Sequence, residues 1–391
     1  MKKLIAMLLA MVMLTALLAG CGGSGNSGSD EIVIGWLGPQ TGNVAQYGLA
    51  VQAGVDLYID QLNANGGING KTVRLEYYDE EGDATKAVTG YNSLLDSGAI
   101  AIIGDVTTAP CVAAVTASQE DNTPMITASA TAVEVTYNTD TDTVYSNMFR
   151  SCFIDPFQGV TMANFAANEL GAATAAILYD NGDTYSTGVY EYFLAQCKDI
   201  GIDVVAVESY ASGAVDFTGQ LTNIASANPD VLFLPVYYND VAVIATQAEQ
   251  AGIDATMLGV DGWATVLDVV TDAALVDGAY YCSGYSVKDT SELIQKFLAD
   301  FSEANSGEVP GMFSAQGYDA AWILCDAIAK AEEDGVEYGT DAYGEAIIAA
   351  MSATDGDYVT GHVTYDDHND PQKTAAIINI VGGEEEFWGS Y

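Results

Sequence analysis

Two hydroxyl-rich turns follow neighbouring segments, 100–103 and 125–126, that are predicted to be buried strands. In open α/β sheets, ligands bind beyond the carboxyl ends of the strands. Hydroxyl groups and the N–H groups at the start of a helix suit an anion such as a carboxylate. Each turn alone could equally supply helix N-caps, but two such turns at successive strand ends favour a binding site. The hydroxyl groups belong to Thr107, Thr108, Ser129 and Thr131.

An acid and several aromatic residues also stand at predicted strand ends, later in the chain. Asp261 and Tyr237 each follow a short apolar run, and together they could hold an ammonium group by ion pairing and cation–π contact. The dipeptide Asp261-Gly262 could equally form a plain turn. Tyr47 and Tyr185 follow strands as well, and each could be an ordinary half-buried tyrosine.

Motifs for catalysis are missing from the sequence. No GxGxxG dinucleotide motif opens a helix after a predicted strand, and the sequence contains no phosphate-binding GxxxxGK[ST] and no GxSxG. Both histidines, His362 and His368, lie in one late stretch. We therefore predict no enzyme activity, no catalytic residue, no cofactor and no metal site. The acidic runs 79–83, 140–142 and 366–370 lack the pattern of a calcium loop and are predicted to be solvated turns, with a weak calcium site left open.

The charge balance excludes several classes of partner. The 391 residues carry 54 acidic and 11 basic side chains, a formal net charge of −43. Nucleic-acid binding needs clustered Lys and Arg, and docking to an anionic membrane needs a basic surface. The hydrophobic fraction of 49% also excludes a disordered acidic tail and allows a large core in two domains.

The first thirty residues predict export. Lys2 and Lys3 precede an apolar run, as in a signal peptide, here residues 1–20; a permanent anchor helix is the alternative. The run ends in Leu-Ala-Gly before Cys21, which resembles a bacterial lipobox. That resemblance implies lipidation of Cys21, a flexible tether over 21–30, and attachment to the outer face of the bacterial cell membrane, with contact to the membrane through the lipid alone.

From residue 31 onward, short apolar runs alternate with longer amphipathic runs, and the alternation restarts near residue 155. This pattern predicts an α/β fold of two doubly wound lobes, each with a parallel sheet covered on both faces. The remaining five cysteines are odd in number and widely spaced, which predicts neither a zinc site nor a disulfide framework.

Over about residues 32–381 the chain resembles the leucine/isoleucine/valine-binding protein family, of the type I periplasmic-binding fold. The resemblance implies two lobes, 31–153 plus 285–366 and 154–284 plus 367–391, joined by three crossovers near 152–154, 283–285 and 366–371. These form a Venus-flytrap hinge. Among the segments that carry it are GPQTG (38–42), NANGGING (63–70), ITASAT (126–131), NPD (228–230) and YDA (318–320).

The resemblance assigns roles to the candidate residues. The ligand's carboxylate would be held by Thr108, beside Thr107, by the backbone at Ser129 and by Thr131. Its ammonium would be held by Asp261. Aromatic pocket positions fall on Tyr237, Tyr185 and Tyr47, with Phe313 lining the side-chain pocket. Two departures stand out: a Thr pair replaces the more usual Ser pair, and Asp261 replaces a Glu, which shortens the acid by one methylene.

The function implied is capture of an amino acid, branched-chain or otherwise apolar, by closure of the cleft, and delivery to an ABC permease by a monomeric lipoprotein. Three alternatives remain open at this point. The chain could bind amides, urea or another small polar solute, it could be a ligand-sensing receptor subunit of the same fold, or it could be an enzyme. A ligand without an ammonium group would leave Asp261 without a partner.

Overall fold

The structure, a computed structural model, describes residues 31–288 and 290–391. The signal peptide 1–20, the lipidated Cys21 and the tether 21–30 lie outside the described residues, so those predictions stay predictions. Two main sheets organise the described chain, and we call the part around each sheet a lobe. The strands of the first sheet come from residues 31–150, and those of the second come from 174–283 and 376–390. The predicted lobe boundaries within the loops remain a prediction.

The first sheet is parallel, with strand order β2-β1-β3-β4-β7. β1 lies between β2 and β3, and nearly all of its residues are buried, as expected for a strand covered on both faces. A small hairpin, β5–β6, lies between β4 and β7 in the chain. The strands of this part are β1 Glu31–Gly38, β2 Thr72–Asp79, β3 Ile102–Ile103, β4 Met125–Thr127, β5 Tyr137–Asn138, β6 Thr143–Val144 and β7 Met148–Arg150.

The second sheet has the order β16-β15-β12-β11-β10-β8-β9. Strands β8 to β12 are parallel, and the C-terminal hairpin β15–β16 adds to one edge in antiparallel orientation. A separate hairpin, β13–β14, lies outside both main sheets. The strands are β8 Thr174–Asp180, β9 Asp203–Tyr210, β10 Val231–Phe233, β11 Thr256–Gly259, β12 Tyr280–Ser283, β13 Asp355–Tyr358, β14 Gly361–Thr364, β15 Ala376–Val381 and β16 Glu384–Ser390.

Helices connect the parallel strands and cover the sheets. Several begin with a side-chain cap; for example, Asp83 accepts hydrogen bonds from the backbone of Thr85 and Lys86. The helices are α1 Ala45–Ala64, α2 Ala84–Asp96, α3 Thr108–Ser118, α4 Asp155–Asn168, α5 Thr184–Ile200, α6 Thr218–Ala227, α7 Tyr238–Ala251, α8 Val266–Val269, α9 Glu292–Ala304, α10 Met312–Glu333 and α11 Asp341–Ser352.

The structure confirms the predicted two-lobed α/β fold and corrects some details. The prediction started the helix after β3 at residue 112, whereas α3 begins at Thr108. Pro110 lies in its first turn, where proline is tolerated because no intrahelical donor is lost. The short strands β7 and β12 were not predicted. The acidic runs are not uniformly solvated turns either, because Glu80 and Asp370 are buried.

A fully buried arginine joins the end of the first sheet to a distant loop. Arg150 ends β7, and its Nε lies 2.7 Å from Oδ1 of Asp370, in the loop between β14 and β15. Its other nitrogens donate to the carbonyl groups of Ala130 and Ala132. These two carbonyls flank Thr131, so the arginine holds the second hydroxyl-rich turn in place.

Candidate functional site

One cavity contains all the side chains that the sequence nominated. It lies between the carboxyl ends of strands from both sheets and holds about 260 Å³ of empty space. Residues 106 and 262 complete its lining. The nominated residues are Tyr47, Thr107, Thr108, Ser129, Thr131, Tyr185, Tyr237, Asp261 and Phe313.

The start of α3 forms one wall. Thr107 occupies the N-cap position, but its side chain makes no capping hydrogen bond, which argues against a purely capping role. The N–H of Cys111 donates to the carbonyl of Thr107, the N-cap residue. The N–H groups of Thr108 and Ala109, at the start of the helix, therefore have no acceptor within α3. The wall therefore combines two buried hydroxyls with the positive end of a helix, a suitable setting for an anion.

The turn after β4 forms the adjacent wall. It carries the hydroxyl groups of Thr127, Ser129 and Thr131, and the first two of these bond within the protein. Thr127 Oγ1 accepts from the N–H groups of Ser129 and Ala130, and it donates to the carbonyl of Asp105. Ser129 Oγ donates to the carbonyl of Val106 at 2.7 Å. The hydroxyl and N–H of Ser129 are thus engaged within the protein, whereas the hydroxyl of Thr131 lines the cavity and lies next to the buried carboxyl group of Asp155.

A glycine lets the first wall approach the sheet. Gly104 precedes the turn at Asp105 and has a φ of +140°. A Cβ atom at this position would lie 2.2 Å from the carbonyl oxygen of Leu37 in β1. Only glycine allows the chain to pass this close to β1. This close approach positions Thr107 and Thr108 at the end of the sheet.

The opposite wall centres on Asp261, which begins a short 3₁₀ turn after β11 and is 3% exposed. Its Oδ1 accepts from the hydroxyl of Tyr185 at 2.6 Å, and that hydroxyl also accepts from the N–H of Gly262. The backbone N–H of Asp261 donates to Oε1 of Gln158 in α4. These bonds fix the orientation of the carboxylate inside the cavity.

Aromatic rings enclose the rest of the cavity. Tyr185 and Tyr237 stack with centroids 4.9 Å apart and an interplanar angle of 3°. Tyr47 meets Tyr237, Tyr238 and Phe313 edge to face. The edge-to-face arrangement is the favoured geometry for such pairs and restricts the movement of each ring.

Close packing of two helices brings Phe313 to Tyr47. In α1, a Cβ on Gly54 would lie 1.9 Å from the carbonyl of Ser314 in α10, and in α10 a Cβ on Gly317 would lie 2.3 Å from the carbonyl of Val51. Any larger residue at these positions would separate the helices. The side-chain end of the cavity depends on this close approach.

Hydrogen bonds connect the two lobes beside the cavity. The hydroxyl of Tyr47 in α1 donates to the carbonyl of Gly262 at 2.6 Å and accepts from the N–H of Tyr238. Tyr238 in turn donates from its hydroxyl to the carbonyl of Asn43. The first lobe is thereby tied to the second in a closed arrangement around the cavity.

The electrostatics of the site are dominated by buried acids. Burial raises the pKa of Asp261 to about 6, against the lowering effect of its bonds to Tyr185 and Gln158. Burial also raises the pKa of Asp155, at the start of α4, well above its usual range, and the Thr131 hydroxyl opposes this shift. Among the residues that line the cavity, none is Lys, Arg or His. An ammonium group would supply the missing positive charge.

Sequence reasoning missed several residues of the site. No role was predicted for Asp155, Gln158 or Tyr238. Both carboxyl oxygens of Asp155 are buried, close to the hydroxyl of Thr131. No local signal identifies these residues, because each acts through a partner that is distant in sequence.

Metal ligation and membrane insertion find little support in the described part of the chain. There, no group of three or more His, Cys, Asp or Glu side chains is arranged to hold a metal ion. Of the helices over 31–288 and 290–391, none combines the length and the apolarity that crossing a bilayer requires. The five cysteines within those ranges are buried and unpaired.

The chain is similar to known proteins over nearly all of its described residues. Residues 31–384 match a family described as periplasmic binding protein. A leucine-, isoleucine-, valine-, threonine- and alanine-binding protein from Pseudomonas aeruginosa is 28% identical over 344 residues, 88% of this chain and 87% of that protein.

Several solved structures of binding proteins are similar to this chain over most of its length. A leucine binding protein from Thermotoga maritima has a TM-score of 0.82 and 28% identity, covering 92% of this chain and 98% of its own. A branched-chain amino acid transporter substrate binding protein from Streptococcus pneumoniae, in complex with isoleucine, gives the same four values. A solute binding protein from R. palustris, in complex with benzoate, has a TM-score of 0.80 at 22% identity, with coverages of 92% and 96%. That last likeness shows the fold alone.

Proposed function

The chain belongs to the periplasmic binding protein family, and on that premise we propose that it captures a small α-amino acid, branched-chain or otherwise apolar, between its lobes. The observation that carries the proposal is the pairing of chemistries in one cavity. Hydroxyls and a helix N-terminus suit the carboxylate, and the buried Asp261 suits the ammonium group. The aromatic wall suits an apolar side chain.

Capture by closure follows from where the two kinds of group lie. The carboxylate-binding groups belong to turns after β3 and β4 in the first sheet, and Asp261 follows β11 in the second. A zwitterion contacts both sets together only when the cleft is closed. Its higher affinity for the closed state then shifts the hinge equilibrium, with the bonds from Tyr47 and Tyr238 holding the closed form.

The wider role we propose is delivery of the amino acid to an ABC permease, with no chemical reaction on the ligand. The protein would work as a monomer outside the cytoplasm, lipid-anchored through Cys21 to the bacterial cell membrane. The family match and the transporter-related relatives support delivery, whereas the anchor rests on the sequence of residues 1–21. Labelling with a radioactive fatty acid and loss of the label in Cys21→Ser would test the anchor.

A binder of amides, urea or a simple carboxylate is the second candidate, since a protein of the same fold is bound to benzoate. Such ligands have no ammonium group, so Asp261 would remain buried without a counter-charge, at a cost in free energy. A thermal-shift screen over the twenty amino acids, urea, short amides and benzoate separates the two, because a bound ligand raises the melting temperature by mass action.

We expect Thr131→Ala to weaken amino-acid binding by about tenfold, since a hydrogen bond to a charged group is worth roughly 1.5–3 kcal/mol. Titration calorimetry measures the affinity, and thermal melting of the unliganded protein measures stability. The matched control is Thr116→Ala, an exposed threonine on α3 whose hydroxyl bonds to the carbonyl of Val112. A large loss of melting temperature with unchanged affinity would contradict the binding role.

We expect Phe313→Leu to shift selectivity toward larger side chains, because Phe313 lines the cavity and the smaller leucine leaves more room for the ligand's side chain. The same ring also lines an open groove on its other side. Calorimetry with alanine, leucine and phenylalanine should show the affinity ratio of phenylalanine to alanine rising by about tenfold. The control is Phe297→Leu, a buried ring that lines neither space. An unchanged order of affinities would refute the role of Phe313.

A further inference from the structure

Two buried carboxyl groups meet beneath the start of α3, outside the cavity itself. Glu80 directly follows β2, Asp105 follows β3, and β1 lies between these strands in the sheet. Both residues are 0% exposed. Their carboxyl groups lie next to each other, within reach of a hydrogen bond. A hydrogen bond between two carboxyl groups requires a proton on one of them.

In each of the two carboxyl groups, one oxygen accepts from a backbone N–H and the other oxygen is left for a bond between Glu80 and Asp105. Glu80 Oε2 accepts from the N–H of Asp83 at 2.8 Å, and Asp105 Oδ1 accepts from the N–H of Val106 at 2.5 Å. Glu80 Oε1 and Asp105 Oδ2 are buried, and neither accepts a hydrogen bond from a donor among the described residues. The geometry is that of one acid donating to one carboxylate.

No cation neutralises the pair. The groups that face it are Asp79 and Asp83 on the β2–α2 turn and the buried thiol of Cys111 on α3. The nearby Lys86 pairs instead with Glu81 at the surface, and Arg150 pairs with Asp370. Two adjacent carboxylates without a counter-charge cannot both ionise at low cost. Burial raises the pKa of Glu80 to about 7 and that of Asp105 well above its usual range.

Asp105 supports both walls that face the ligand's carboxylate. Its carbonyl accepts from Thr127 Oγ1 at 2.5 Å, and Thr127 orders the turn that contains Ser129 and Ala130. The next residue, Val106, accepts from Ser129 Oγ and leads directly into Thr107. A displacement of Asp105 would therefore move the carboxylate-binding groups of the first lobe.

We propose that Glu80 and Asp105 share one proton and act as positioning residues that hold the turn from Asp105 to Thr108 in the geometry that binds a carboxylate. The effect on ligand affinity rests on the proposed amino-acid binding, whereas the shared proton does not depend on it. The pair reaches the ligand only through the turn and is not itself part of the cavity lining.

A proton shared by Glu80 and Asp105 predicts the direction in which ligand affinity changes with pH. Each carboxyl group has a pKa above its value in an unfolded chain, so the contribution of the bridge is present in acid and is lost as pH rises through the raised pKa values of the pair, of which that of Glu80 is about 7. Loss of the proton to solvent leaves two anions that repel each other and displace Asp105. Protonation of Asp261, whose pKa is about 6, weakens ammonium binding on the acid side. Affinity should therefore be greatest near neutral pH.

The test compares Glu80→Gln with wild type by calorimetry between pH 6.5 and 8.5, using the amino acid that gives the largest thermal shift. Glutamine can still donate to Asp105 but does not titrate. Wild-type affinity should fall by about tenfold over this interval, while Glu80→Gln keeps its pH 6.5 affinity throughout. The control Glu81→Gln alters an exposed acid of the same turn and should follow wild type. A flat wild-type profile, or the same alkaline fall in Glu80→Gln, would overturn the positioning role.

A second measurement does not need a ligand. The infrared difference between wild type and the double variant Glu80→Gln/Asp105→Asn at pH 7 should show the C=O stretch of a protonated carboxyl group. Thermal melting of each variant verifies that it is folded. Absence of this band would refute the shared proton. If no amino acid binds wild type at any pH while the band is present, the proposed function fails and the shared proton stands.

Discussion

Replacing Asp261 with Asn is expected to weaken binding of an α-amino acid by about 30-fold or more. Removing one partner of a buried charge pair costs roughly 2–5 kcal/mol, and Asp261 is the acid that lines the cavity. Asparagine has nearly the same shape and can still accept from the hydroxyl of Tyr185, so the loss reports the charge rather than the packing. Titration calorimetry at pH 7.5, above the pKa of about 6, keeps the wild-type acid ionised.

Two comparisons make this prediction specific. Asp240→Asn is the matched control, because Asp240 likewise accepts from a tyrosine hydroxyl, that of Tyr210, but lies outside the cavity lining. It should bind the amino acid as wild type does. The carboxylic acid that lacks the amino group should bind Asp261→Asn at least as well as it binds wild type. Undiminished amino-acid affinity in Asp261→Asn would rule out the ammonium role and favour the second candidate function.

The largest effect on stability is expected from Arg150→Met. Breaking a buried ion pair by removing one partner costs about 3–5 kcal/mol, because the other charge stays buried without compensation. Here Asp370 would lose its guanidinium partner, and the carbonyls of Ala130 and Ala132 would lose their donors. Urea unfolding followed by circular dichroism should show the lower free energy of unfolding. Ligand affinity should fall as well, since these carbonyls flank Thr131.

Arg74→Met serves as the control for this change. Arg74 pairs with Glu31 and Glu76 near the surface, where an ion pair is worth roughly 0–1 kcal/mol. The double variant Arg150→Met/Asp370→Leu removes both buried charges and should recover part of the lost stability. Equal destabilisation by Arg74→Met and Arg150→Met would contradict the importance of the buried pair.

Much of the fold could be predicted from the sequence because its signals are local. Apolar runs such as that in β1 alternate with amphipathic helices and predict a parallel sheet covered on both faces. The errors have local causes too. The predicted start of α3 was residue 112, four residues late, although a proline such as Pro110 is favoured in a first helical turn. Strand β7 is three residues long and too short for a periodic signal.

Eight of the nine candidate residues were nominated from a simple rule about strand ends and Phe313 from the family resemblance, and all nine line one cavity. The rule works because parallel strands present their carboxyl ends at the same edge of a sheet. It could not show how each group is used. Ser129 was assigned a role through its backbone, yet its N–H and its hydroxyl both bond within the protein. The acidic run after β2 looked solvated, yet Glu80 is fully buried.

The sequence by itself determined the class of the protein, the order of its strands and helices, and the residue types at the strand ends. Tertiary structure alone decided which groups are joined across distance: Arg150 with Asp370, the hydroxyl of Tyr47 with Gly262, and Glu80 with Asp105. The physical reason is that helix and strand patterns arise from neighbours along the chain. The protonation and orientation of a buried polar group depend instead on partners that only the folded chain brings into contact.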